Sequence, residues 1–141
     1  MSPKSARPDR TILVVDDDRS VLDALHKTLI KQGYEVLEAA TSEQAIAAVQ
    51  GHDAPVDLLI VDVVMPSVSG PELADMLLLI RSQMKVLFIT GLDGLSIALA
   101  FGRRCEYVQK PFAMRLLVAK VEEMLSHAIP PAKAQITGDL V

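Results

Sequence analysis

The strongest constraint on this chain is a set of short, unbroken apolar runs that begin or end in polar residues: Thr11–Asp16 (TILVVD), Asp57–Asp62 (DLLIVD) and Lys85–Thr90 (KVLFIT). Runs of this length, rich in Val, Ile and Leu and without polar alternation, read as strands buried on both faces. Between them lie stretches with helical periodicity. Ser20–Lys31 carries Val21, Leu22, Leu25, Leu29 and Ile30 on one predicted face, and Gly33 ends it. Tyr34–Ala39 reads as a short strand. Thr41 or Ser42 caps a helix through Val49, with Thr41 and Gln44 at capping-box spacing. Val63–Gly70 reads as a loop, and Pro71 suits the first turn of a helix running to Ser82. Further on, 93–101 is a predicted helix stopped by Gly102, and 105–108 is a short strand. Residues 112–127 form a final helix with Leu116, Leu117, Val121, Met124 and Leu125 inward, and Pro130-Pro131 breaks it.

Strand and helix thus alternate five times. Crossovers this short favour a parallel sheet with helices on both faces, and such sheets bind ligands beyond the carboxyl ends of their strands. The 141 residues fit one domain. Half are hydrophobic but only 4% aromatic, so the core is aliphatic. Residues 1–10 read as a disordered lead, 11–127 as the domain and 128–141 as a tail. A net charge of −4 and only two small basic clusters, Lys4/Arg7/Arg10 and Arg103/Arg104, argue against a nucleic-acid surface. The single Cys105, expected buried, excludes an internal disulfide. His26, His52 and His127 are scattered and read as surface residues. No run is long enough to span a membrane and no signal peptide is present, so a cytoplasmic protein is expected.

The strand ends carry the chemistry. Asp16 and Asp17 end the first strand, Asp62 the third and Thr90 the fourth, while Lys110 lies just past the fifth. In a sheet of order 2-1-3-4-5 the first and third strands are neighbours, so Asp16, Asp17 and Asp62 share one pocket. Three carboxylates so close repel one another, and burial worsens it. A hard dication answers this, Mg²⁺ better than Ca²⁺, because few protein ligands leave room for waters and phosphate oxygens. Asp62 is then placed to act as a nucleophile toward a phosphoryl group, with Thr90 and Lys110 neutralising its oxygens.

Four segments, ILVVDD (12–17), DLLIVDVVMPSVSG (57–70), VLFITG (86–91) and YVQKPF (107–112), resemble the receiver domain of two-component response regulators. The likeness covers residues 11–126. It implies a flavodoxin-like, doubly wound α/β (βα)5 sandwich with strand order 2-1-3-4-5. It implies Asp62 as phosphoacceptor, and Asp16, Asp17, Asp62 and the Val64 backbone carbonyl as Mg²⁺ ligands. Thr90 would be the switch hydroxyl, Lys110 the phosphate-binding lysine, and Tyr107 the switch aromatic. The Lys110–Pro111 bond resembles the family's cis peptide. A histidine kinase or histidine phosphotransfer protein would donate the phosphoryl group. The face made by the fourth helix, fifth strand and fifth helix would then meet a downstream protein or a second copy of the chain.

Two departures matter. Arg103 and Arg104 occupy a turn that is small and Ala/Gly-rich in the family. Val64 and Leu92 occupy positions that tune phosphoryl lifetime there, and neither can orient water, so slow self-dephosphorylation is expected. No room remains after residue 127 for a DNA-binding module, so a stand-alone receiver is expected. Two rivals compete. A haloacid-dehalogenase-like phosphatase would use Asp16 as nucleophile and Asp18 as acid, but leaves Asp62 idle. A non-phosphorylated interaction module would leave the whole Asp/Asp/Asp/Thr/Lys set unexplained. Neither GxGxxG nor GxxxxGK[ST] is present.

Overall fold

The computed structural model describes residues 10–91, 101 and 105–126. Five strands, β1 (Thr11–Val15), β2 (Glu35–Ala39), β3 (Leu58–Asp62), β4 (Lys85–Thr90) and β5 (Glu106–Gln109), form one sheet. Its order is β2-β1-β3-β4-β5 and every pairing is parallel. Among the described residues the helices are α1 (Arg19–Lys31), α2 (Ser42–Gly51), α3 (Gly70–Ile80) and α4 (Met114–Ser126). The helix expected at 93–101 and the tail lie outside the described residues, except that Phe101 is helical.

Strand residues alternate between two cores, as the two-residue period of a strand requires. Ile12, Val14, Leu58, Ile60, Leu87 and Ile89 pack with α1 and α4 through Leu22, Leu25, Leu29, Leu117, Val121 and Leu125. Leu13, Val15, Leu59, Val61, Val86 and Phe88 pack on the other face with α2 and α3 through Ala45, Val49, Leu73, Ala74 and Leu77. Phe88 meets Phe101 edge-on, with ring centroids 5.1 Å apart. This is the doubly wound sandwich expected, and it explains why the strand runs carry no polar alternation.

Local signals set the helix ends. Asp18 caps α1, its side chain accepting from the Ser20 N–H at 2.9 Å. Past its other end Gly33, at φ 97°, closes a Schellman turn in which Gly33 N–H reaches Ile30 O and Tyr34 N–H reaches Leu29 O. Thr41 caps α2 through the Gln44 N–H. Ser69 and Glu72 form a complete capping box on α3, with Pro71 in its first turn.

Several expectations need correction. Ile30 and Leu116 are exposed, not inward: each sits beside a buried neighbour (Leu29, Leu117) and the 100° step per residue carries it to the solvent side. Cys105 is half-buried and precedes β5 instead of opening it. α4 begins at Met114 and α3 stops at Ile80. His52 is half-buried and not free at the surface. It is the C-cap of α2, and its Nε2 lies 3.4 Å from Thr11 Oγ1 and 3.6 Å from Glu35 Oε1. Arg10, assigned to the lead, donates to the Leu125 carbonyl at 2.8 Å.

Candidate functional site

The chain's strand order reverses at β1, which pairs with both β2 and β3. A crevice therefore opens beyond the carboxyl ends of β1 and β3. Asp16 and Asp17 follow β1, and Asp62 closes β3. One carboxylate oxygen from each of the three lies within 4.8 Å of the others. Asp16 and Asp62 are buried, and Asp17 is exposed at the rim.

The hydrogen bonds fix two of these side chains. Asp16 Oδ1 accepts from the Asp18 N–H at 2.9 Å. Asp62 Oδ1 accepts from the Val64 N–H at 3.0 Å, and its Oδ2 takes the Lys110 Nζ at 2.9 Å. Lys110 reaches the site because its backbone N–H donates to the Thr90 carbonyl at 2.7 Å, which holds the end of β5 against the end of β4. The Lys110–Pro111 peptide is cis. Thr90 is buried at the tip of β4. Tyr107 lies on β5 and is 44% exposed. Val64 stands at the rim and is 70% exposed.

Electrostatics follow from this packing. Burial pushes the Asp16 carboxyl up to about 6, aided by the charges of Asp62 and Asp17 and opposed by the Asp18 N–H and by Lys110. The bond to Asp62 holds the Lys110 ammonium above its ordinary value. Asp16 Oδ2 is buried without a hydrogen-bond partner among the described residues. An orphaned anionic oxygen beside two further carboxylates is the donor set of a hard divalent cation, and Mg²⁺ fits it.

All the polar strand-tip residues expected from sequence thus sit at one edge of the sheet. Asp18 does not join them: its Oδ1 is occupied by the Ser20 N–H and hydroxyl, which lower its pKa, and it faces solvent. Leu92 lies outside the described residues. Sequence reading missed the Val64 N–H as a donor to Asp62, which no pattern signals. It also missed the Ser69/Glu72 box, although the S-x-x-E spacing was there to be read.

Comparison with known proteins agrees with this geometry. The DNA-binding transcriptional regulator NtrC of Azospirillum brasilense is 36% identical over 127 residues, covering 86% of this chain and 25% of that protein. The response regulator MprA of Mycobacterium leprae is 33% identical over 126 residues, covering 88% of this chain and 54% of its own length. The chain therefore spans between a quarter and about half of these relatives. A CheY-like response regulator receiver domain protein from Methanospirillum hungatei superposes with a TM-score of 0.72 at 32% identity, covering 83% of this chain and 94% of that one. The response regulator receiver domain family matches residues 12–122, a span that includes the whole acidic cluster, Thr90 and Lys110. With its 2-1-3-4-5 sheet and its three strand-tip aspartates, the chain belongs to that family.

Proposed function

We propose that this protein is a phosphorylation-operated switch in which Asp62 accepts a phosphoryl group from a phosphohistidine on a histidine kinase or phosphotransfer protein. An Asp62 carboxylate oxygen attacks phosphorus, the P–N bond breaks, and its electrons leave with the imidazole. The observation that carries the reading is the meeting of Asp16, Asp17 and Asp62 within 4.8 Å, with Lys110 Nζ 2.9 Å from Asp62. Asp16, Asp17, Asp62 and the Val64 carbonyl would hold Mg²⁺. When bound, that ion supplies the positive charge that lets the carboxylates ionise together and offsets the charge of the incoming group.

Lys110, already on Asp62 Oδ2, pairs with an oxygen of the new phosphoryl group, and the Thr90 hydroxyl bonds another. Movement of Thr90 frees space for Tyr107 to turn inward from its exposed position. The β5–α4 face then changes shape for a partner protein or a second copy of the chain. A swing from 1:99 to 99:1 needs about 5.5 kcal/mol of differential stabilisation. Charge-assisted bonds at roughly 1.5–3 kcal/mol each are of the right size. With Val64 beside the acceptor, nothing at that position orients water, so self-dephosphorylation is slow. Among the described residues no helix is long and apolar enough to cross a membrane. We place the protein in the cytoplasm, acting through protein contacts and not by binding nucleic acid itself.

The phosphatase rival finds no support, because Asp18 is committed to capping α1. The test is incubation with Mg²⁺ and acetyl phosphate, followed by intact mass and site mapping of the adduct. Wild type should gain one phosphoryl group on Asp62, and Asp62→Asn should gain none. A wild-type chain that stays unmodified, or an adduct on Asp16, would overturn the reading.

A further inference from the structure

The first turn of α3 touches the acceptor strand more closely than any side chain would allow. A Cβ added at Gly70 would lie 2.3 Å from the Asp62 carbonyl oxygen, 2.9 Å from Val63 Cα and 3.0 Å from the Asp62 carbonyl carbon. All three are backbone atoms of the segment that carries the Asp62 carboxylate, so none can rotate away. The Gly70 N–H also donates to the Val63 carbonyl at 2.8 Å, closing the loop between β3 and α3 onto the strand end.

Nor can the helix side yield easily. Ser69 and Glu72 cap the same turn reciprocally, Pro71 stiffens it, and Leu73, Ala74 and Leu77 anchor the helix in the core below. We infer that Gly70 is a positioning residue for Asp62: the bare glycine lets a rigid helix end brace the Asp62–Val63 peptide, which sets where the carboxylate points. Among the described residues that carboxylate is held by two short bonds, from the Val64 N–H and Lys110 Nζ. Displacing its backbone by a few tenths of an ångström misaligns it with Asp16 and Asp17. The inference rests on the proposed phosphoacceptor role of Asp62.

The test compares Gly70→Ala with Leu29→Ala, each assayed well below its own melting temperature. Leu29 is fully buried near the end of α1, in the core on the opposite face of the sheet from α3, so its truncation destabilises through a cavity and leaves the brace on Asp62 in place. Three readouts are taken: Mg²⁺ affinity by calorimetry, the acetyl phosphate reaction rate, and the Val64 amide resonance in metal-free protein. The expected result is that Gly70→Ala shifts the Val64 amide, weakens Mg²⁺ binding and slows phosphorylation about 10- to 100-fold. Leu29→Ala should keep all three near wild type despite the lower melting temperature. Wild-type Mg²⁺ affinity and rate in Gly70→Ala would overturn the inference, as would an equal loss in Leu29→Ala. A Gly70→Ala chain that does not fold would also overturn it, because glycine would then serve the fold and not the aim of Asp62. Failure of the wild type itself to bind Mg²⁺ or take up phosphate would instead reject the phosphoacceptor reading on which this rests.

Discussion

The Lys110 ammonium lies 2.9 Å from Asp62 Oδ2, a pair that joins the end of β5 to the end of β3 across 48 residues of chain. The lysine side chain is 41% exposed, so the pair is screened and adds little to stability, within about 1 kcal/mol. Its larger effect is on the neighbours. Lys110→Met removes a cation that competes for Asp62, so Mg²⁺ affinity should rise several-fold, up to about tenfold. Phosphorylation by acetyl phosphate should nonetheless slow, since an oxygen of the transferred group loses its partner. Titration calorimetry and a timed mass assay check the two arms, and weaker Mg²⁺ binding would contradict the first.

Asp16 makes the metal-free protein sensitive to pH. Its carboxyl sits at about 6 in the folded chain against 3.8 unfolded, so the folded state holds the proton more tightly. Between roughly pH 4 and 6 the unfolded chain has released it and the folded chain has not, and stability falls as pH rises through that window. Above it the penalty is constant at up to about 3 kcal/mol. Asp16→Asn should remove this slope and raise the melting temperature of metal-free protein at pH 7.5. Subtracting the mutant's stability-against-pH curve from the wild type's isolates the effect, and a flat difference would refute it. Protons and Mg²⁺ compete for the same oxygens, so Mg²⁺ affinity should fall as pH drops through about 6.

Tyr107 offers a direct optical readout. The chain has no Trp and only two Tyr, and Tyr34 is 4% exposed where Tyr107 is 44% exposed. Acrylamide quenching of tyrosine fluorescence therefore reports mostly on Tyr107. Quenching should drop when Asp62 is phosphorylated and stay unchanged in Tyr107→Phe/Asp62→Asn. Tyr107→Ala should still take up phosphate while losing any phosphorylation-dependent dimer seen by light scattering.

The lifetime of the phosphoryl group should be minutes or longer, because Val64 offers no group to orient water. Decay followed by intact mass after removing acetyl phosphate measures it. A half-life of seconds would rule this out, and Val64→Asn should shorten the wild-type value.

Stability should track burial, not hydrophobicity of sequence. Phe88 is fully buried and stacks edge-on with Phe101, so Phe88→Ala should cost about 3–5 kcal/mol in urea denaturation. Leu79, equally apolar in the chain, is 85% exposed on α3, and Leu79→Ser should change stability by less than about 0.5 kcal/mol.

Much of the architecture is legible in the chain because its signals are local. Continuous apolar runs demand burial on both faces, and Thr41, Gly33 and Pro71 punctuate the helices. The predicted strand Lys85–Thr90 matches β4 residue for residue. The polar residues at strand ends were visible for the same reason, since each directly terminates or follows an apolar run. What misled was adjacency. Leu116 and Ile30 are as hydrophobic as Leu117 and Leu29, yet one residue's rotation along a helix turns them to water.

Sequence alone determined that five strands would form and that Asp16, Asp17, Asp62, Thr90 and Lys110 would lie at their carboxyl ends, because side-chain period and capping act within a few residues. Tertiary structure decided which ends are neighbours and what each atom there touches. Asp18, next in the chain to Asp17, is drawn away as a helix cap, while Lys110 arrives from a distant strand. His52 turns inward to Thr11 and Glu35, and Gly70 presses on Asp62. Hydrogen-bond partners, desolvation and close contact depend on atoms brought together across the sheet, and no local pattern of residues encodes them.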